Sequence, residues 1–158
     1  MRAVICAIAA ALVSACLAQL SSGPAALETI RFEMTSCDGR CPALVLEVRS
    51  DLRATFDGRV YTAVKGRRDF TVTPERLEEY RKRLAPFRPI GERRIDQAAC
   101  GENFLPGMPS IDVRWTGAGR ADRLLIDTGC GPAANEELVE AVGNAPEVLG
   151  ITHWVRGD

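Results

Sequence analysis

The stretch Ser36-Cys37-Asp38-Gly39-Arg40-Cys41-Pro42 places two cysteines between two apolar runs, Ile30-Arg31-Phe32-Glu33-Met34 and Ala43-Leu44-Val45-Leu46-Glu47-Val48. Both runs read as strands, so a bridge between Cys37 and Cys41 would pin their junction and hold the chain in a turn. A lasting bridge of this kind needs an oxidising compartment. Whether the chain is exported therefore decides how the rest of it is read.

Arg2 is followed by an unbroken apolar stretch from Ala3 to Val13, and then by Ser14-Ala15-Cys16. A charged start, a short apolar segment and a small-residue site define a secretory signal, and this one is too short to span a bilayer. Residues 1–15 are thus expected to be a signal peptide. Val13-Ser14-Ala15-Cys16 also resembles the bacterial lipobox, in which a cysteine after small residues is acylated on sulfur. On that reading Cys16 is a lipidation site, residues 16–27 with Ser21-Ser22-Gly23-Pro24 are a tether, and residues 28–158 are a single domain. Ordinary cleavage after Ala15 or Ala18 is the alternative. The expected location is the periplasm, with the protein anchored to a membrane by lipid.

If Cys6 leaves with the signal and Cys16 carries lipid, Cys37, Cys41, Cys100 and Cys130 remain, and four cysteines allow three pairings. The expected pairs are Cys37 with Cys41 and Cys100 with Cys130, the first shaping a turn and the second closing a long loop.

Alternation places a strand at 28–34 and another at 43–49, where Leu44, Leu46 and Val48 share one face. Asp57-Gly58 reads as a tight reversal, with strands following at 59–64 and 67–72. Thr73-Pro74 opens a helix whose stripe is Leu77, Tyr80 and Leu84, ended by Pro86 and Pro89. Residues 90–109 read as loop. Ser110–Trp115 and Arg123–Asp127 then form a hairpin about Gly117-Ala118-Gly119, a helix with Leu138, Val139 and Val142 follows, a shorter one runs from Ala145-Pro146 to Gly150, and Trp154 packs near the C-terminus. With no strand-helix-strand alternation, the expected class is α+β: an antiparallel sheet, made of a four-strand meander and a C-terminal hairpin, with two to three helices on one face and disulfide staples.

The order of elements from residue 28 to 156 resembles a bacterial family, domain of unknown function 6438, whose members are often secreted or lipid-anchored. The likeness rests on the turn Cys37-Asp38-Gly39-Arg40-Cys41-Pro42, the glycine-marked strands, the Thr73-Pro74 helix, the Pro109-Ser110 strand and the helix ending near Trp154. The family places an aromatic residue where this chain has Asp38, often a tyrosine near Leu44, and an acidic residue where Gly107 sits. The resemblance implies the fold and export, and it brings no activity.

Chemistry-bearing residues are few. Cys37 and Cys41 could form a redox pair, since Arg40 would favour a thiolate, but thioredoxin-type sites put two residues between their cysteines at a helix start, whereas here there are three and a strand follows. A zinc site from the cysteines and His153 would need reduced thiols in an oxidising compartment. His153 is the only histidine and has no nucleophile motif to serve. Asp112 and Asp127 could meet across the hairpin, although both read as solvated. Gly129-Cys130-Gly131-Pro132 precedes a helix, but no phosphate-loop lysine follows. Neither a catalytic residue nor a metal or other cofactor is assigned.

Formal charge is uneven: residues 1–64 sum to zero, 65–94 to +5 and 95–158 to −6. The basic part, with Lys65, Arg67 and Arg68 at its head, is the candidate surface for an anionic envelope component, and an exported protein has little access to nucleic acid. The expected function is binding to an envelope protein or anionic envelope component without catalysis; the alternative is a thiol-disulfide protein using Cys37 and Cys41.

Overall fold

A computed structural model of the chain describes residues 27–157, apart from 118 and 131. The expected signal peptide, residues 1–15, Cys16 and nearly all of the tether lie outside the described residues.

Among the described residues seven strands form one sheet: β1 (Thr29–Met34), β2 (Ala43–Arg49), β3 (Arg53–Val60), β4 (Gly66–Thr71), β5 (Glu92–Ile95), β6 (Ser110–Gly117) and β7 (Arg120–Asp127). Their order is β4-β3-β2-β1-β6-β7-β5. The meander and the hairpin join where β1 pairs antiparallel with β6, so that Ile30 lies opposite Trp115 and Phe32 opposite Val113. Among the described residues there are four α-helices, α1 (Pro74–Leu84), α2 (Gln97–Cys100), α3 (Pro132–Asn144) and α4 (Thr152–Arg156), with a 3₁₀ segment, Ala145–Leu149, linking the last two.

Several sequence expectations need correction. Asp57-Gly58 is not a reversal. β3 runs through it, and the chain turns at 61–65 instead. Gly58 is required for a close approach rather than for a positive φ, because a Cβ there would lie 2.6 Å from Thr62 Oγ1 and against the Val64 carbonyl. Residues 92–95 are not loop but β5, which pairs parallel with β7, so the sheet is mostly rather than wholly antiparallel. Only Ile95 of that strand is buried; Glu92, Arg93 and Arg94 are exposed, which hides the apolar alternation a strand would show.

Period-two alternation gives the sheet two unlike faces. Ile30, Phe32, Leu46, Val48, Phe56, Val113, Trp115, Leu124 and Ile126 are buried on one, and α1 lays Leu77, Tyr80 and Leu84 on it. The Thr73 hydroxyl accepts from the Arg76 N–H at 3.3 Å, capping α1 as its sequence predicts. Val142, Ala145, Leu149 and Ile151 complete that layer, while Trp154 packs on Phe56 and Phe70 with ring centroids 5.4 and 5.0 Å away.

The opposite face is a lattice of ion pairs. Glu33 accepts from Arg31 and Arg59, and Asp112 accepts from Arg114 at 2.6 Å and Arg123 at 2.8 Å; Arg123 reaches on to Glu92 at 3.1 Å. Burial alone would raise the Asp112 pKa, but the two guanidiniums outweigh it and hold the carboxyl below the usual range. Asp112 faces Leu125 and not Asp127, which lies opposite Ser110 and accepts from the Gly129 N–H at 3.0 Å. The carboxylate pair therefore does not form, and Asp112 is buried rather than solvated.

Candidate binding cleft

Both expected disulfides are present, Cys37–Cys41 with a Cα separation of 5.5 Å and Cys100–Cys130 with 5.4 Å. The sulfurs that a zinc site would need are taken up in these bonds. Beyond stapling, the two bridges brace neighbouring parts of one structure. The Cys37–Cys41 turn is fastened to the loop before β6, since the Asp38 N–H donates to the Gly107 carbonyl at 2.9 Å and the Thr35 N–H to the Ser110 carbonyl at 3.0 Å. That loop is fastened in turn to the Cys130 end: the Leu105 N–H donates to Gly129 O at 2.8 Å, and the Thr128 hydroxyl to Pro109 O at 2.7 Å.

Between these braced segments, the sheet and the last two helices lies a cleft of about 1180 Å³. Its floor is apolar, with Phe32, Met34, Leu44 and Ile111 from the strands and Val139 and Val155 from α3 and α4. Arg40 and Pro42, from the disulfide-turn segment, and Met108 also line it, as do the exposed Glu136 and Glu140 of α3. Arg156 also reaches the rim, where it is paired with Glu147 at 2.9 Å. Tyr61 stands at the rim 53% exposed, with φ at +51°, a conformation that L-residues seldom adopt. A large, mostly apolar concavity with a few polar groups at its mouth is the usual form of a ligand site.

The basic segment is not gathered into one surface. Arg67 and Arg68 are successive residues of β4 and so project to opposite faces, Arg67 onto Asp69 at 3.1 Å and Arg68 onto its neighbour's carbonyl. Lys65 lies exposed in the turn before them. Downstream, Arg83 pairs with Glu79, Arg76 donates to the Leu149 carbonyl, and Arg88 is divided between Glu28 and Asp122. Much of the positive charge that the sequence concentrates in residues 65–94 is thus neutralised inside the fold. His153 is exposed and lies against the Trp154 ring. Among the described residues no group of three His, Cys, Asp or Glu side chains could hold a metal ion, and no helix is long and apolar enough to cross a membrane.

Sequence reasoning did not single out the cleft, because its walls come from five separate stretches that meet only in the fold. The one local sign is Tyr61, an aromatic residue at the corner after β3.

The geometry defines a mixed α+β domain with one helix-covered and one charged sheet face. Residues 28–146 match the family described as Domain of unknown function (DUF6438), and the chain belongs to it. A comparison with curated proteins finds no match.

Proposed function

We propose that this is an exported protein, held to a membrane by lipid on Cys16, whose domain binds an envelope component without catalysis, and that the cleft is its binding site. The cleft carries the reading: an apolar floor over the middle of the sheet, charged lining residues, and a disulfide on each of two adjoining wall segments. Bridged walls suit a preformed site, which loses less entropy on binding. Asp112, a candidate carboxylate for catalysis, is held by two arginines. The signal-like start, the lipobox-like Val13–Cys16 and the two disulfides support export.

The test is titration with an apolar dye that fluoresces out of water, using the parent and Val139→Trp, which fills the floor. Saturable one-site binding that the substitution abolishes is expected, and equal binding by both would overturn the reading. Replacing Cys16 by Ser should move the protein from the membrane to the soluble fraction; unchanged partitioning would defeat the anchor.

A thiol-disulfide role has one specific observation in its favour. The Gly39 N–H points at Cys37 Sγ at 3.2 Å and Arg40 is adjacent, an arrangement that would stabilise a Cys37 thiolate on reduction. A reduction potential near about −200 mV or above would support exchange, and one below about −300 mV would mark a structural bond.

A further inference from the structure

We propose that the cleft takes a single acyl chain ending in a carboxylate, with Arg40 holding the head group and Gly143 leaving room for the chain. This rests on the cleft being the binding site.

The floor argues for hydrocarbon over peptide. It lies on β2, β1 and β6, which are interior strands; their backbone groups are used in ladders with neighbours on both sides, and the free edges belong to β4 and β5. An extended peptide entering the cleft would bring N–H and C=O groups with no strand edge to pair them, and burying such groups unpaired is costly. An acyl chain brings none. Met34 and Met108, two of the lining side chains, are unbranched and can adjust to a flexible chain.

The mouth argues for an anionic head on the turn side. Most arginines of the fold are committed to carboxylates, but Arg40 enters no ion pair among the described residues, although it is exposed and lines the cleft. It sits inside the small disulfide ring, which limits how far its backbone can move. A guanidinium there can take a carboxylate in bidentate fashion. Glu136 and Glu140 of α3 also line the cleft and repel an anion, so the head group is directed to Arg40 rather than to α3.

Gly143 supplies the depth. It lies near the end of α3 and lines the cleft, and a Cβ built on it would meet Ile111 Cδ1 at 3.5 Å, an ordinary contact. Neither φ nor crowding therefore requires glycine, and alanine would make a better helix. The absent side chain leaves a gap about the size of a methyl group against Ile111 on the cleft floor.

The experiment displaces the apolar dye from the purified protein with dodecanoate, dodecanol and dodecylamine at neutral pH. The acid is expected to compete roughly ten-fold or more better than the alcohol, the range of a charge-assisted pair. Arg40→Gln should erase that preference, and Gly143→Leu should stop dye and acid from binding while thermal melting stays that of a folded protein; Val139→Trp serves as the second plug if Gly143→Leu does not fold. A preference for the amine, a preference for acid that survives Arg40→Gln, or better competition by an apolar peptide would overturn the inference while leaving the cleft as the binding site. Dye binding indifferent to both plugs would overturn the site itself.

Discussion

The carboxylate of Asp38 fills the space that a side chain at Gly107 would need. A Cβ on Gly107 would lie 2.7 Å from Asp38 Cγ, and Gly107 also has φ of +78°, which disfavours any other residue. These are two of the positions at which the chain departs from the pattern its resemblance implies, an aromatic at one and an acid at the other, and here they touch. Gly107→Ala is expected to destabilise the protein by about 1–3 kcal/mol, combining the left-handed backbone with displacement of Asp38. Adding Asp38→Gly should recover part of the loss, since it removes the crowding but not the backbone cost. A double-mutant cycle in urea tests this, and strict additivity would show that the two side-chain positions do not compete for one space.

Asp122 makes the fold sensitive to acid. Its side chain is almost wholly buried, yet it accepts from the Gly91 N–H at 2.9 Å, Arg88 Nε at 2.8 Å and Arg120 Nε at 2.7 Å. Burial by itself would raise its pKa; the backbone N–H and the two arginines reverse that and hold it at about 2. Because the folded value lies below the unfolded one, the stabilisation is fully present above about pH 4 and is lost as pH falls toward 2. Asp122→Asn should therefore melt lower than the parent at pH 7 and lose less on acidification from pH 4 to 2. Parallel melting curves for the two across that range would contradict the assignment.

Tyr80 offers a gain in stability. It is fully buried under α1, and its hydroxyl has no hydrogen-bond partner among the described residues, so burial pushes its pKa far up. A buried hydroxyl left unpaired costs about 1–3 kcal/mol. Tyr80→Phe keeps the ring and removes that cost, so the variant should be more stable by about 1 kcal/mol, read as a higher urea midpoint at unchanged slope. A lower midpoint would mean that the hydroxyl has a partner.

Residues whose neighbours in sequence carry the pattern were legible. Leu44, Leu46 and Val48 announce β2 by alternation, Thr73-Pro74 announces α1 by its cap, and the two disulfides formed are the pairing expected among the three that four cysteines allow. Gly58 misled because glycine beside Asp57 reads as a turn, whereas its role is to admit the Val64 carbonyl, a contact set by the fold of the corner. β5 was hidden because a four-residue edge strand with one buried side chain has no period to detect. The cleft was illegible for a related reason: Arg40, Tyr61, Met108 and Gly143 are far apart in sequence, and only the ordering of β2, β1 and β6 under α3 and α4 brings them to one cleft.

The two bridges should differ in what their loss costs. By chain entropy, closing the five-residue ring Cys37–Cys41 is worth roughly 2 kcal/mol, and closing the 31-residue ring Cys100–Cys130 roughly 3.7 kcal/mol. The second bridge also backs the isolated β-bridge of Cys130 with Phe104 and the Leu105 N–H bond to Gly129, so its loss leaves those backbone contacts alone to hold the loop that carries Met108. Cys100→Ala with Cys130→Ala is thus expected to lower stability by more than Cys37→Ala with Cys41→Ala, and to weaken dye binding as well. The smaller ring acts mainly on Arg40, so its loss should leave dye binding near that of the parent while reducing the preference for dodecanoate over dodecanol. Equal destabilisation by the two double variants would mean that local contacts rather than loop closure set the worth of each bridge.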